Sequence, residues 1–315
     1  MSRIDHWPKN FLLAPGFLFA LNLTDTDIYI FQNYQNLFWA FISICFASSA
    51  NYVLNEFVDA PTDAYHPTKK GRAAVTQTFS LVKVTTIYFI WALFSMVFIS
   101  FSIIGIVLVT LYLVLGLLYN VRPIRLKDRP YLDIICESAN NPIRLVLGWV
   151  SITSGMSPPI TLLVGFWCLG GFLMGAKRTS ELIQLSSELK ISVVNQYRKS
   201  FSFYSIGKLN YISNISGYFT IISFSIFTIK YNALFIFFTV VVSSWIVDYG
   251  SQISIPDSML QNPEKLIRSK KNTYYSLALM ACFILAQFVT VDFFDEVLES
   301  TNLNFIEFWR NLLNF

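Results

Sequence analysis

The chain has 315 residues, 54% hydrophobic, 17% aromatic and only 13% charged, with a formal net charge of +4. Soluble domains carry roughly a quarter charged residues, and several apolar stretches here approach the ~20 residues that cross a bilayer core. The composition therefore excludes an ordinary soluble globule, and a charge excess this small, spread over a membrane chain, gives no reason to expect nucleic acid as a partner.

Apolar length predicts about nine membrane-spanning helices. They lie near residues 10–24, 36–58, 78–98, 101–120, 131–152, 158–180, 204–228, 232–250 and 273–293. Arg3, Asp5, His6 and Lys9 precede the first span, and Pro15 and Gly16 interrupt it; no cleavable leader is expected, because no small-residue cleavage site follows. In the second span, Pro61 is expected to end or bend the helix near Asp59 and leave Asp63 on a turn. Cys45, Cys136, Cys168 and Cys282 are scattered through apolar spans, as small core residues rather than a metal or disulfide set. Residues 182–203 and 251–272 are the longest connections and the places for short helices. The tail aligns Phe305, Phe308, Trp309, Leu312 and Leu313 on one face, which predicts an interfacial helix over about 300–315.

Charge placement orients the bundle. Lys69, Lys70 and Arg72 follow the second span; Arg122, Arg125, Lys127 and Arg129 follow the fourth. Lys177, Arg178, Lys190, Arg198, Lys199 and Lys208 surround the end of the sixth, and Lys265, Arg268, Lys270 and Lys271 precede the ninth. The opposite loops carry acids instead: Asp25, Asp27, Asp292, Asp295, Glu296 and Glu299. The positive-inside rule then puts the N-terminus and the cationic loops in the cytoplasm and the C-terminus outside. The expected fold is all-α: a single membrane domain over 1–315, in one helical bundle.

Three constellations stand out from this apolar background. In the first, Asn55, Asp59 and Asp63 recur every fourth residue with Glu56 beside them, and His66, Lys69, Lys70 and Arg72 follow. Four-residue steps return to one helix face; oxygen ligands suit a hard cation and Lys/Arg suit phosphate. The second is Tyr119-Asn120-Val121-Arg122-Pro123-Ile124-Arg125-Leu126-Lys127-Asp128, followed by Asp133, Glu137, Asn141 and Arg144 along one face. Carboxylates inside a bilayer normally face a polar cavity; a packing salt bridge between Glu137 and Arg144 is the alternative. The third is Lys177-Arg178-Thr179-Ser180-Glu181 at the end of the sixth span, with Tyr197, Arg198 and Lys199 returning later. An ordinary juxtamembrane face with anionic-lipid contacts is its plainer reading. Asp248 is a lone acid, and no P-loop, dinucleotide fingerprint or Ser/His/Asp arrangement is present.

Together the Asn-x-x-x-Asp-x-x-x-Asp register, the Tyr-Asn-x-Arg-Pro-x-Arg-x-Lys-Asp loop and the later Asp-x-x-x-Glu resemble the UbiA superfamily of intramembrane transferases. Within it, His66-Pro67-Thr68-Lys69-Lys70-x-Arg72, Lys177-Arg178-x-x-Glu181 and Trp7-x-Lys9-Asn10 are most similar to decaprenyl-phosphate phosphoribosyltransferases. The chain departs from the family pattern in having Glu56 after Asn55, Ala73 after Arg72, and a more polar 133–149 stretch. The resemblance implies about nine helices around a cavity open to the cytoplasmic side, in a membrane expected to be the bacterial cytoplasmic one. It implies Mg²⁺-assisted departure of diphosphate, with Asn55, Glu56, Asp59, Asp63 and Asp133 as metal ligands, and Asp59, Asp63, Asp133 and Glu137 at the reaction centre. Asp133 and Glu137 either bind metal or orient the acceptor. Lys69, Lys70, Arg72, Tyr119, Arg122, Arg144, Lys177, Arg178 and Glu181 are then the substrate and diphosphate set. The partners implied are a diphosphate donor and a polyprenyl lipid: phosphoribosyl diphosphate with a polyprenyl phosphate, or a prenyl diphosphate with an aromatic or other small acceptor. A transporter of anionic solutes or lipids is the reading from another class; it predicts charges near mid-bilayer, whereas these charges cluster at helix ends.

Overall fold

The computed structural model describes residues 1–24, 26–67, 69–232, 234–253 and 269–288. The predicted interfacial tail, the acids after the last span and most of the 251–272 connection lie outside the described residues. A 3-10 turn over Ile4–Leu12 leads into α1 (Leu13–Leu23), followed by α2 (Phe31–Asp63), α3 (Ala73–Thr76), α4 (Leu81–Phe98), α5 (Ile103–Asn120), α6 (Leu132–Ser138) and α7 (Asn140–Trp149). The chain continues with α8 (Ile160–Glu188), α9 (Ile191–Tyr197), α10 (Ile206–Tyr231), α11 (Phe235–Ser251) and α12 (Lys270–Phe288). Among the described residues there is no strand. Five helices (α2, α4, α5, α8 and α10) are long and apolar enough to cross a membrane, and α11 is a shorter apolar helix. The protein is an integral membrane protein.

Three predicted spans differ from the observed elements, each for a local reason. α2 does not end near Asp59; it runs through Asp63, so Asn55, Asp59 and Asp63 share one uninterrupted face. Pro61 sits in the last turn, where its missing N–H leaves only the Phe57 carbonyl without a helical partner, and the turns beyond are closed by Ala64 N–H to Ala60 and His66 N–H to Asp63. The predicted 131–152 span is two helices, α6 and α7, because Pro142 cannot donate to the Ser138 carbonyl. α8 extends to Glu188, well past the predicted residue 180, and its added turns bury Glu181, Leu182, Gln184 and Leu185.

Packing relies on small residues where helices must approach closely. α2 buries Ala40, Ser43, Ala47, Ser48 and Ala50 against α4 and α5, and the Ser43 hydroxyl donates to the Ser95 carbonyl at 2.6 Å. α1 and α7 cross with a glycine on each side. A methyl on Gly16 would stand 1.8 Å from the Leu145 carbonyl oxygen, and one on Gly148 would stand 1.9 Å from that of Leu13. An aromatic cluster around Phe19, with Phe227, Phe238 and Phe283 edge-on and Phe235 tilted, fills the half of the bundle formed by α1, α10, α11 and α12. The polar residues lie elsewhere, between α2, α5, α7 and α8.

Candidate active site

A cavity of about 620 Å³ opens between these helices, and every wall carries polar side chains. The α2 wall presents Asn55, Asp59 and Asp63. Lys127, from the turn after α5, donates to Asn55 Oδ1 at 3.2 Å, to Asn120 Oδ1 at 2.9 Å and to Asp59 Oδ1. Arg125 NH2 donates to the same Asp59 oxygen at 3.0 Å, and Arg72 NH1 to Asp63 Oδ2 at 2.6 Å. Arg125 adopts φ 33°, a left-handed bend that turns the loop back and points both Arg125 and Lys127 at α2. Burial pushes the Lys127 ammonium down to about 8, against the opposing pull of Asp59.

All three donors of Lys127 are thus spent inside a cage of oxygens, the environment that a hard divalent cation also takes. Among the described residues no three His, Cys, Asp or Glu side chains converge; the wall offers two carboxylates and an amide. Glu56 is turned away from this cage. Its Oε1 accepts from the Ala74 N–H at 3.2 Å and its Oε2 lies 3.8 Å from the Met1 amino group, so it ties the N-terminal segment to α3.

Facing α2, the α8 wall is organised by Glu181. Its Oε1 accepts from Lys69 Nζ at 2.6 Å and the Tyr197 hydroxyl at 2.8 Å and lies 3.6 Å from His66 Nε2, while Oε2 accepts from Arg178 NH1 at 2.8 Å. Burial, and then the Glu181 charge, push the Tyr197 hydroxyl well above its ordinary range, which keeps it a neutral donor. Arg178 NH2 donates to the Tyr119 hydroxyl at 3.0 Å. Asp133 is fully buried behind this layer and does not line the cavity. The Tyr204 hydroxyl donates to its Oδ1 at 2.6 Å, and Arg178 Nε and Arg198 NH1 each lie 3.7 Å from its Oδ2. Neither of those two guanidinium nitrogens has a hydrogen-bond partner among the described residues.

The floor is built by α7, α5 and the N-terminal turn. Arg144, buried, donates to Asn10 Oδ1 at 2.9 Å, the Tyr112 hydroxyl at 3.2 Å and Asn141 Oδ1 at 3.4 Å. Ser48 on α2 closes the ring through Asn10 and Tyr112. Glu137 lines the cavity without an ion pair to Arg144 or to any other described residue. Lys177 lines it as well.

Of the predicted substrate residues, Lys69, Arg72, Tyr119, Arg144, Lys177, Arg178 and Glu181 meet in this one cavity, whereas Lys70 and Arg122 are exposed and stay outside it. Lys70 caps a turn whose inner side is taken by Lys69, and Arg122 precedes the bend that faces Arg125 and Lys127 inward. Sequence reading placed Arg125, Lys127, Tyr197, Arg198 and Asn10 in its motifs without giving them a site role, and left out Tyr112. Charge alternation in the 122–129 loop was the available signal for Arg125 and Lys127. For Asn10 it was the polar interruption of an apolar N-terminal stretch.

Among the described residues the protein is an all-helical membrane bundle with carboxylates and cations gathered around one cavity. The UbiA prenyltransferase family description matches residues 13–249, and the chain belongs to that family. Its fold is similar to that of a UbiA homologue from Archaeoglobus fulgidus bound to DMAPP and Mg²⁺, with a TM-score of 0.67 and 14% identity over 90% of this chain and 98% of that one. The same homologue bound to GPP and Mg²⁺ gives a TM-score of 0.64 at 12% identity, covering 90% of this chain and 100% of that one. A digeranylgeranylglyceryl phosphate synthase structure gives 0.56 at 14% identity, over 91% and 96% of the two chains. At these identities the likeness concerns the fold. No curated protein sequence matches the chain.

Proposed function

We propose that the protein is a Mg²⁺-dependent UbiA-type transferase that displaces diphosphate, moving phosphoribosyl from phosphoribosyl diphosphate to a polyprenyl phosphate. The observation that carries this reading is the charge balance of the cavity. Its described lining holds eight Lys/Arg side chains (Arg3, Lys9, Lys69, Arg72, Arg144, Lys177, Arg178, Arg198) against five carboxylates (Glu56, Asp59, Asp63, Glu137, Glu181). Buried charge without a counter-charge is costly, so a cationic surplus fits substrates that bring several anionic groups. Phosphoribosyl diphosphate brings a diphosphate and a 5-phosphate, and the acceptor brings a further phosphate. A prenyl diphosphate with a neutral acceptor brings only one such group.

In this reading α1, the α6–α7 pair, α11 and α12 complete about nine crossings, the cationic loops lie in the cytoplasm, and the soluble donor enters from that side. Magnesium, when bound at Asn55, Asp59 and Asp63, supplies charge neutralisation for the leaving diphosphate. Lys69, Arg72 and Arg178 bind the remaining donor oxygens, and Arg198 closes on them from the strap after α8. The C1–O bond to diphosphate breaks with its electron pair going to the diphosphate oxygen, and an acceptor phosphate oxygen forms the new bond to C1. That oxygen is already ionised, so no general base is required. Preorganised cations aimed at the leaving group are the main contribution of the chain.

Prenyl transfer is the second reading, favoured by the DMAPP and GPP bound to the structural relatives. Purified full-length protein in detergent with Mg²⁺ decides between them, given either phosphoribosyl diphosphate with a polyprenyl phosphate or prenyl diphosphates with aromatic acceptors. Product is expected from the phosphoribosyl donor; product from the prenyl donor alone overturns the first reading. Solute flux in liposomes without any Mg²⁺-dependent product overturns both.

A further inference from the structure

The inner end of the cavity holds cations that the donor site does not use. Arg144 is buried inside the bundle, and all three of its hydrogen-bond partners are neutral: Asn10, Asn141 and Tyr112. Its guanidinium also faces the Tyr112 ring, 5.4 Å from the centroid. Lys177 lines the same cavity and makes no hydrogen bond or ion pair with any described residue. Neutral dipoles orient an arginine but leave its charge uncompensated, and one so placed in an apolar bundle calls for an anion. Asp59, Asp63 and Glu181 each hold a cation, whereas Glu137 lines the cavity without an ion pair to a described residue. Arg144 and Lys177 thus outnumber the one carboxylate left to balance them.

Position assigns the anion. Lys177 lies one helical turn inward of Glu181 on α8. Arg144 joins Ser48 through Asn10, and Ser48 precedes Asp59 by eleven residues of α2, about 16 Å along the axis. The two cations thus lie inward of the carboxylate wall, where Leu12, Leu115, Leu173 and Met174 supply apolar lining. An in-line displacement brings the nucleophile to the face of C1 opposite the departing diphosphate, which is the inner side if diphosphate sits at Asp59 and Asp63.

We propose that Lys177 and Arg144 form a second anion subsite that takes the phosphate monoester of the lipid acceptor, with its chain running along the apolar lining. This inference rests on the phosphoribosyl reading for its role in catalysis but not for its binding test.

Binding of farnesyl phosphate and of farnesol to full-length protein in detergent is the first measurement. Lys177→Gln is expected to weaken farnesyl phosphate by about tenfold, the loss of one charge-assisted contact, and to leave farnesol unchanged. Arg144→Gln is expected to do the same. Because Arg144 also ties Asn10 to Tyr112, Arg144→Lys is the companion: restored farnesyl phosphate affinity marks a charge role, whereas equal losses for phosphate and alcohol in every variant mark a packing role and overturn the subsite. Kinetics separate the two phosphate sources. In Lys177→Gln the acceptor KM is expected to rise and the donor KM to hold; a rise in the donor KM alone assigns these cations to the 5-phosphate and overturns the acceptor assignment. Lys177-dependent farnesyl phosphate binding in a protein that transfers only prenyl groups keeps the subsite and removes the phosphoribosyl reading. Farnesyl phosphate binding that is unchanged in both glutamine variants removes the subsite.

Discussion

The α2 and α8 walls face each other across one cavity and solve the same problem in opposite ways. On α2, carboxylates spaced four residues apart project from a helix, and their counter-cations arrive from loops: Lys127 and Arg125 after α5, Arg72 before α3. On α8 the helix itself carries Lys177 and Arg178, and its buried carboxylate, Glu181, gathers Lys69, Tyr197 and Arg178 from three segments. Charge carried on loops can be exchanged for a ligand with little rearrangement of the bundle. Cations knotted around one buried carboxylate stay in place and offer a ligand only the donors that Glu181 does not take. Under the proposed function, ligand exchange falls to α2 and architecture to Glu181.

Glu181→Gln is expected to show the largest effect. It leaves Lys69 and Arg178 facing each other without their common counter-charge, and losing one partner of a buried pair costs about 3–5 kcal/mol. Thermal melts in detergent check this, and a melt matching wild type removes Glu181 from the architecture. Asp59→Asn is expected to act mainly on turnover, which falls by about a hundredfold or more; the melt also falls, by less than for Glu181→Gln, because buried Lys127 loses its counter-charge while it keeps Asn55 and Asn120 and Arg125 keeps Asp128. Unchanged Mg²⁺-dependent activity removes Asp59 from the reaction centre.

Tyr204→Phe tests the layer behind α8. It deletes the 2.6 Å bond to buried Asp133 and is expected to lower stability by about 1–3 kcal/mol, read from the same melts. A pH-dependent effect concerns Lys127, whose folded-state value lies near 8 against an ordinary 10.5. Between those values the unfolded chain holds a proton that the folded chain has released, so stability rises with pH there; below pH 8 the penalty of the buried ammonium is fully present. Melts of the wild type relative to Lys127→Met, in a chelator, are expected to show that gain by pH 10 and none between pH 6 and 7. A flat difference across the range places the Lys127 ammonium in water.

The α2 wall was legible because it is written in one helix. Asn55, Asp59 and Asp63 have the period of the element that carries them, and only Pro61 obscured that the helix continues. Glu181 was legible as a charged residue but not as a hub: beside Lys177 it looked like an i,i+4 pair, whereas its partners are Arg178 one turn away and Lys69 from 112 positions away. Asp133 looked like a second acidic wall. Its surroundings, Arg178, Arg198 and Tyr204, come from segments that no local pattern connects to it.

The sequence by itself determined that the chain lives in a membrane, which ends of its helices are charged, and which face of α2 carries side-chain oxygens. These follow from composition and from periods of four residues or fewer. Which cation meets which carboxylate was decided only by tertiary structure, as was the closing of the cavity floor by Asn10, Arg144 and Tyr112. Those pairings depend on how close separate helices approach, and that distance is set by small residues such as Gly16 and Gly148 meeting a neighbour's backbone, not by the charged residues that the approach brings together.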